Sequence, residues 1–453
     1  METRIILGAD IEIGIELDKR IEMRKGRVDY ASFRDKYIGE VLHEDLSFFN
    51  NGGLIYEDCA HPEICIPECA SVRDSVRYEK AMEKLLLDYF GDRNKPLFYK
   101  NVRDSGKRSN SFGAHDNYFV PISEDKQDPF ILFTIIEKLW TGAGHLSQKG
   151  KFRIAQSAQD IDRINRFASR DENGPGERGL IEKVEENLGE FKNYERIQCS
   201  NNDPNMCEYA LFLKRGARRL VYLLHQHELL PKINYKKRYA IKDIKDIIKQ
   251  TDSWRLKGTE REWKDPIKIA RAYNDSARKN LKGLDSEVDF CIDLWDDALK
   301  RLERAGNDLN SLYGRLDWAT LFTNLKKFKE RECLPYTHPL VQSNAYDYSR
   351  LDEEGIFAQM EELGLVEKLL ERREITEAMK NPPKTRALLR HNVITELTRR
   401  INPDWKIEFS TWDRISLVYG SSDKTISMPD PWEYSHECFQ KIITDLESTH
   451  ILR

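Results

Sequence analysis

Gly8-Ala9-Asp10-Ile11-Glu12-Ile13-Gly14-Ile15-Glu16-Leu17 is the stretch that decides the fold. Ala9, Ile11, Ile13, Ile15 and Leu17 take one parity; Gly8, Asp10, Glu12, Gly14 and Glu16 take the other. A period of two is that of a β-strand, whose successive side chains point to opposite faces. One face is apolar and belongs on a core, and the other is acidic. Asp10 and Glu12 stand on it roughly 7 Å apart, two strand rises. Two inward-facing carboxylates repel unless a cation lies between them, and hard oxygen donors suit Mg²⁺ or Mn²⁺. The solvent-facing side of an edge strand gives the same pattern, because half-wet antiparallel sheets are common. Pattern alone leaves both readings open.

Working outward, residues 54–66 are rich in Ile, Tyr and Cys and read as a second strand. Tyr56 and Asp58 share a face there, while Glu63 has the opposite parity. Asp58 and Glu63 then meet in one site only through a bulge near Cys59–Ala60, with Pro62 unable to donate to the ladder. Ser71–Tyr89 has helical spacing and is expected to pack on a sheet. Residues 97–103 and 117–122 are expected strands around a polar loop, 130–140 and 206–230 helices, and 171–179 a loop. From about 235 to 380 the spacing predicts charged amphipathic helices, including Ile241–Lys249, Asp285–Ala305, Trp318–Arg331 and Gly355–Glu371. Asn381-Pro382-Pro383 breaks the chain before a helix from Lys384. Two strands, 405–411 and 414–419, and a helix over 433–449 follow. The expected division is a catalytic domain over 1–380 and a small α+β domain over 381–453.

The chain has 453 residues, with 73 Lys+Arg against 77 Asp+Glu, a net charge of −4. Its 19 Phe, 19 Tyr and 8 Trp supply enough buriable area to exclude global disorder. A net negative charge disfavours a dedicated nucleic-acid binder, and the basic stretches Lys214–Arg219 and Lys232–Arg238 read as solvated helix faces. No apolar run approaches the roughly 20 residues of a spanning helix. The N-terminus lacks the apolar core of a signal peptide. A soluble cytoplasmic protein, with its eight cysteines as thiols, is therefore expected. Cys59, His61, Cys65 and Cys69 do not match structural-zinc spacing. GxxxxGK[ST], a post-strand GxGxxG, HExxH and GxSxG are all missing.

Several motifs, in order, resemble one family: the Pup ligases and Pup deamidases/depupylases, within the carboxylate–amine ligases that include glutamine synthetase. GADIEIG at 8–14 is similar to the family's G-x-E-x-E-[YF]-G, with Asp10 for the first Glu. Asn51 to Glu63 resembles NGxRLYxD…HPE, and YKNVRDSGKRSNSFGAHDNY at 99–118 resembles YKNNxD…SYGxHENY. TGAGH (141–145), AQSAQDI (155–161), Asp203 to Glu208 and TRALLR (385–390) match further segments, and Trp412 aligns with a family tryptophan near the nucleotide. The resemblance implies an α+β fold: a curved antiparallel sheet cradle backed by helices, glutamine synthetase-like, with a small C-terminal domain. It implies ATP and Mg²⁺ as cofactors, with Asp10, Glu12, Tyr56 and Glu63 around the metal. Trp412, Tyr56, Asn117 and Arg386 would serve the nucleotide, and Asp58 the catalytic proton transfer. The implied activity phosphorylates a glutamate, the C-terminal one of a Pup-like small protein modifier, and joins it to a substrate lysine. The implied partners are that modifier and lysine-bearing acceptors, without nucleic acid or membrane.

The sequence also departs from the family. Leu54 stands for an ATP-contacting Arg, Ile66 for a Thr, and RDEPHAD survives only as Arg170-Asp171-Glu172. The two residues between Asp58 and His61 match the deamidase branch. The short Gly14-to-Asn51 connection and Met428-Pro429-Asp430-Pro431-Trp432 match the ligases. Ligase is the reading adopted. A hydrolase using the same site with bound nucleotide, and an inactive protein-binding relative, are the alternatives.

Overall fold

The alternating stretch forms β1 (Ile6–Glu12) and, after a break at Ile13, β2 (Gly14–Glu16). The computed structural model describes residues 4–16, 48–58, 61–89, 97–103, 113–121, 128–168, 178–184, 191, 194–251, 253–305 and 309–453. Next come β3 (Leu54–Asp58), β4 (His61–Cys65), β5 (Leu97–Tyr99) and β6 (Ala114–Val120). β7 (His145–Leu146), β8 (Phe152–Arg153), β9 (Ile161–Ala168), β10 (Arg178–Val184) and β11 (Glu195–Cys199) complete this part. Seven strands make one sheet in the order β3-β4-β1-β6-β11-β10-β9. Its neighbours run antiparallel except β9 and β10, a parallel pair that the expectation of an antiparallel sheet did not contain. β2 pairs with β5, and β7 with β8.

The apolar parity of β1 lies on the core as its spacing predicts. Ile11, Ile55 and Ile64 are buried in one cluster with Val76, Met82 and Leu86 of the Val72–Tyr89 helix. Each such side chain contributes roughly 1.5–3 kcal/mol by leaving water. Behind that helix lies Glu208–Gln226, which in turn packs on Pro266–Leu281 and Ser286–Arg304. The acidic parity is left on the opposite, open face.

A second apolar cluster joins Leu389, Val393 and Leu397 of the Arg386–Arg400 helix to Ile415, Leu417, Ile443 and Leu446. These belong to β12 (Lys406–Ser410), β13 (Arg414–Tyr419), β14 (Ser422–Ser427) and the His436–Ser448 helix. β14 was not expected from the sequence. It exists because Gly420, at φ +59°, permits a two-residue reversal between Tyr419 and Ser422.

Four other expectations are met differently by the structure. The strand over 54–66 is two strands, β3 and β4, with Asp58 opposite His61; Cys59 and Ala60 lie outside the described residues. The Gly355–Glu371 helix stops at Glu362, and Gly364 follows at φ +68°. The loop 171–179 lies outside the described residues up to Arg178, where β10 begins. Lys214, Arg215, Arg218 and Arg219 are buried rather than solvated, so that stretch offers no nucleic-acid surface. Among the described residues, no helix is long and apolar enough to cross a membrane.

Candidate active site

The hairpin decides which acids meet. In an antiparallel pair turning after Asp58, even-numbered residues of β3 face odd-numbered residues of β4, so Tyr56 is the direct partner of Glu63. Among the described residues the pairing of the two strands is regular, so parity across the hairpin, and not a shifted register, brings Tyr56 and Glu63 together; Cys59 and Ala60, where a bulge was expected, lie outside them. Glu63 in turn pairs with Glu12 on β1, and Asp10 pairs with Cys65 on one side and His115 on the other. Asp10, Glu12, Tyr56, Glu63 and His115 thus share one face over four adjacent strands.

Within this group, one ligand atom each from Asp10, Glu63 and His115 lies within 4.8 Å of the others. His115 Nδ1 is 3.1 Å from Asp10 Oδ2, and Asn117 Nδ2 donates to Asp10 Oδ1 at 2.6 Å. Arg196 Nε donates to Asn117 Oδ1 at 2.9 Å, extending the chain onto β11. Burial pushes the Asp10 carboxyl up, but His115 and then Arg196 outweigh it and hold it below the usual carboxylate range. Glu63 goes the other way: burial first, then the charge of Asp10, push it up to about 9. Its Oε2 is buried without a hydrogen-bond partner among the described residues. Such an atom calls for a proton or a cation. Two carboxylates and an imidazole this close could hold a divalent ion: the carboxylate oxygens suit Mg²⁺ or Mn²⁺, and the imidazole suits transition ions. Burial first, then the charges of Cys65 and Glu63, also raise the Tyr56 phenol, which stays protonated beside Glu63.

The other residues expected here are placed differently. Glu12 Oε1 accepts from Gly113 N at 2.7 Å, so it braces the start of β6 beside the cluster. A Cβ at Gly113 would come within 2.7 Å of Glu12 Oε1 and 2.6 Å of the His115 ring, so a larger residue there would displace these two side chains. Asp58 ends β3 on the parity of Tyr56, and its side chain lies outside the described part. Asn117 orients Asp10. Arg386 is not brought to the cluster: it binds Glu68 Oε1 at 2.9 Å and the carbonyls of Met428 and Pro429. Half-buried Trp412 packs edge-on to Phe48, with ring centroids 5.2 Å apart. Phe48 bridges Leu54, the Cα partner of Cys65, which is the partner of Asp10. Three strand spacings, about 14 Å, therefore separate Phe48 from Asp10, and two separate it from the strand of Glu63. Sequence reasoning missed His115 as a donor. Its signal was the parity it shares with Asn117, legible only once β6 is known to flank β1. On the far side of the same face, Phe119, Phe191, Tyr194 and Trp432 form a half-buried aromatic cluster with centroids 4.9–5.8 Å apart.

The family model described as Pup-ligase protein matches residues 14–415. The Pup–protein ligase of Acidimicrobium ferrooxidans is 27% identical over 471 residues, covering 98% of this chain and 99% of that protein. The Pup–protein ligase of Saccharomonospora viridis is 25% identical over 468 residues, covering 98% and 100%. Among solved structures, the ligase PafA in complex with the prokaryotic ubiquitin-like protein Pup superposes with a TM-score of 0.81 at 21% identity. That match covers 99% of this chain and 93% of the other. PafA in complex with ADP gives 0.75 at 20% identity, covering 96% and 97%. At those identities the structural likeness speaks for the shared fold.

Proposed function

The chain belongs to the Pup-ligase family, and from that premise we propose that it is an ATP-dependent ligase joining the C-terminal glutamate of a Pup-like modifier to a lysine of an acceptor protein. The observation that carries this reading is the Asp10–Glu63–His115 group with a buried Glu63 oxygen that has no hydrogen-bond partner among the described residues. A phosphoryl-transfer enzyme needs such a place to hold the cation that neutralises its triphosphate. Asp10, Glu63 and His115 would hold the ion, Asn117 would orient Asp10, and Tyr56 would brace Glu63. Trp412 would stack on the base. The names of the relatives and the ADP complex of PafA support nucleotide use.

The reaction has two steps. The γ-phosphoryl group passes from ATP to the substrate glutamate, releasing ADP and leaving an acyl phosphate. The lysine amine then attacks the acyl carbon, the C–N bond forms and phosphate departs. Only the neutral amine is a nucleophile, so the departing proton needs a base, and Asp58 at the end of β3 has that role. The division into a catalytic domain over 1–380 and a C-terminal domain over 381–453 is supported by the separate apolar cluster of the latter. Buried free thiols and a demand for ATP suit the cytoplasm.

The test is incubation with ATP, Mg²⁺, a Pup-like modifier ending in Glu and a lysine-bearing acceptor. One ADP should appear per isopeptide bond. Asp58→Asn should abolish turnover with ATP affinity retained, and full activity in that variant would sink its role. Conjugates that disappear without ADP formation would assign the site to hydrolysis instead.

A further inference from the structure

One guanidinium ties together three parts of the candidate nucleotide site. Arg390, on the Arg386–Arg400 helix, is 1% exposed. Its Nη1 and Nη2 donate to the two oxygens of Glu68 at 2.9 Å each, a forked pair. Nη1 also donates to the carbonyl of Trp412 at 2.6 Å, and Nη2 to that of Gly52 at 3.3 Å. The cation lies 4.1 Å from the Phe48 ring centroid and 5.2 Å from that of Trp412. Glu68 follows β4, which carries Glu63; Phe48 and Gly52 precede β3, which carries Tyr56 and Asp58. Trp412 belongs to the C-terminal region. The turn through Gly52 is pressed on the helix, since a Cβ there would meet that of Ala387 at 3.0 Å. Thr385 reinforces the joint, its hydroxyl donating to the carbonyl of Glu68 at 2.7 Å. Glu68 is held ionised: burial pushes it up, but Arg390 and then Arg386 bring it down to about 2.

We propose that Arg390 is a positioning residue that sets the Trp412 ring relative to the metal-holding strands, and so determines how strongly the base of the nucleotide is recognised. This rests on Trp412 touching the base, as proposed above. Lysine cannot reproduce the arrangement. A single ammonium lacks the flat fork that reaches two carboxylate oxygens and two carbonyls while facing two rings. The proposal separates base recognition from triphosphate recognition, because Arg390 holds the ring and its bonds go to none of the metal donors.

The experiment measures binding of ATP, GTP and inorganic tripolyphosphate, each with Mg²⁺, to the full chain and to Arg390→Lys, Arg390→Met and Trp412→Ala. Both Arg390 variants should bind ATP about tenfold more weakly and lose most of the ATP-over-GTP preference. Tripolyphosphate affinity should stay within about twofold. A structural role alone would weaken all three ligands together, and that result would overturn the proposal, as would unchanged ATP affinity. Should Arg390→Met not fold, Arg390→Lys decides, since it keeps the charge that Glu68 needs. Trp412→Ala reports on the premise separately. If it leaves ATP affinity unchanged while the Arg390 variants lose it, the base-stacking reading fails and Arg390 acts on something else.

Discussion

The two faces of the main sheet treat carboxylates in opposite ways. Along β6, His115 and Asn117 look to the open face and Asp116 to the back, one residue apart. On the back, Asp116 meets Lys214 at 2.9 Å and Arg215 at 2.8 Å, and Asn202 donates to it at 2.7 Å. Arg215 also binds Glu79, whose other oxygen takes Lys100. Burial pushes these two acids up, but the cations around them win and hold both low, Glu79 at about 2. On the open face Glu63 has Asp10 and Tyr56 for neighbours and is pushed up to about 9. Burial is similar on the two faces, so the difference is the counter-ion. The back face carries its own cations on the Glu208–Gln226 helix, while the front face has His115 and Arg196 and, in the proposed function, would take an ion from solution.

Arg215→Met should have the largest effect. It leaves Glu79 short of a partner and Asp116 with only one cation, at a cost of about 3–5 kcal/mol read from urea unfolding at pH 7. A loss under about 1 kcal/mol would remove the contrast between the faces. The acids of the back face have folded pKa values below their unfolded ones. Their contribution is complete above an ordinary carboxylate value and is lost as pH falls through the depressed one. Wild-type stability followed by circular dichroism should therefore decline between about pH 4.5 and 2.

Glu63→Gln should act in the opposite sense on the ion-free protein. Between about pH 4.5 and 9 folded Glu63 keeps a proton that the unfolded chain has lost, so its contribution falls as pH rises. The amide avoids this, and ion-free stability at pH 8 should rise by about 1–3 kcal/mol. The same variant should lose at least about 100-fold in Mn²⁺ affinity by calorimetry. In the wild type, binding at pH 7 should release about one proton per ion, seen by comparing buffers of different ionisation enthalpy. A rise in ion-free stability without loss of metal affinity would separate Glu63 from the ion.

Asn117→Ala removes the donor that orients Asp10 without removing a ligand. Metal affinity should fall about 10-fold and stability by under about 1.5 kcal/mol. Trp432→Leu, at the half-buried aromatic cluster, should cost only about 1 kcal/mol and leave metal affinity unchanged. A change in metal affinity there would join the aromatic cluster to the donors.

Much of this was legible in residue order. The period of two over residues 8–17 placed Asp10 and Glu12 opposite the apolar face, because parity along one strand is local geometry. The proline break at 382–383 and the helix after it were equally local. His115 was not legible, because its place beside Asp10 depends on strand order, and β1 and β6 are a hundred residues apart. Lys214 to Arg219 looked like a solvated face because their partners, Asp116, Glu79 and Glu137, are remote in sequence.

The sequence by itself determined the acidic strand, the apolar faces and the ordered motifs, since each depends on spacing within one segment. Only the tertiary structure decided that Glu63 faces Tyr56 and that His115 stands beside Asp10 and Glu63. It also decided that the basic helix neutralises the back of the sheet rather than its front. A hairpin inverts parity, and a buried charge takes its pKa from whatever the fold brings within a few ångströms of it.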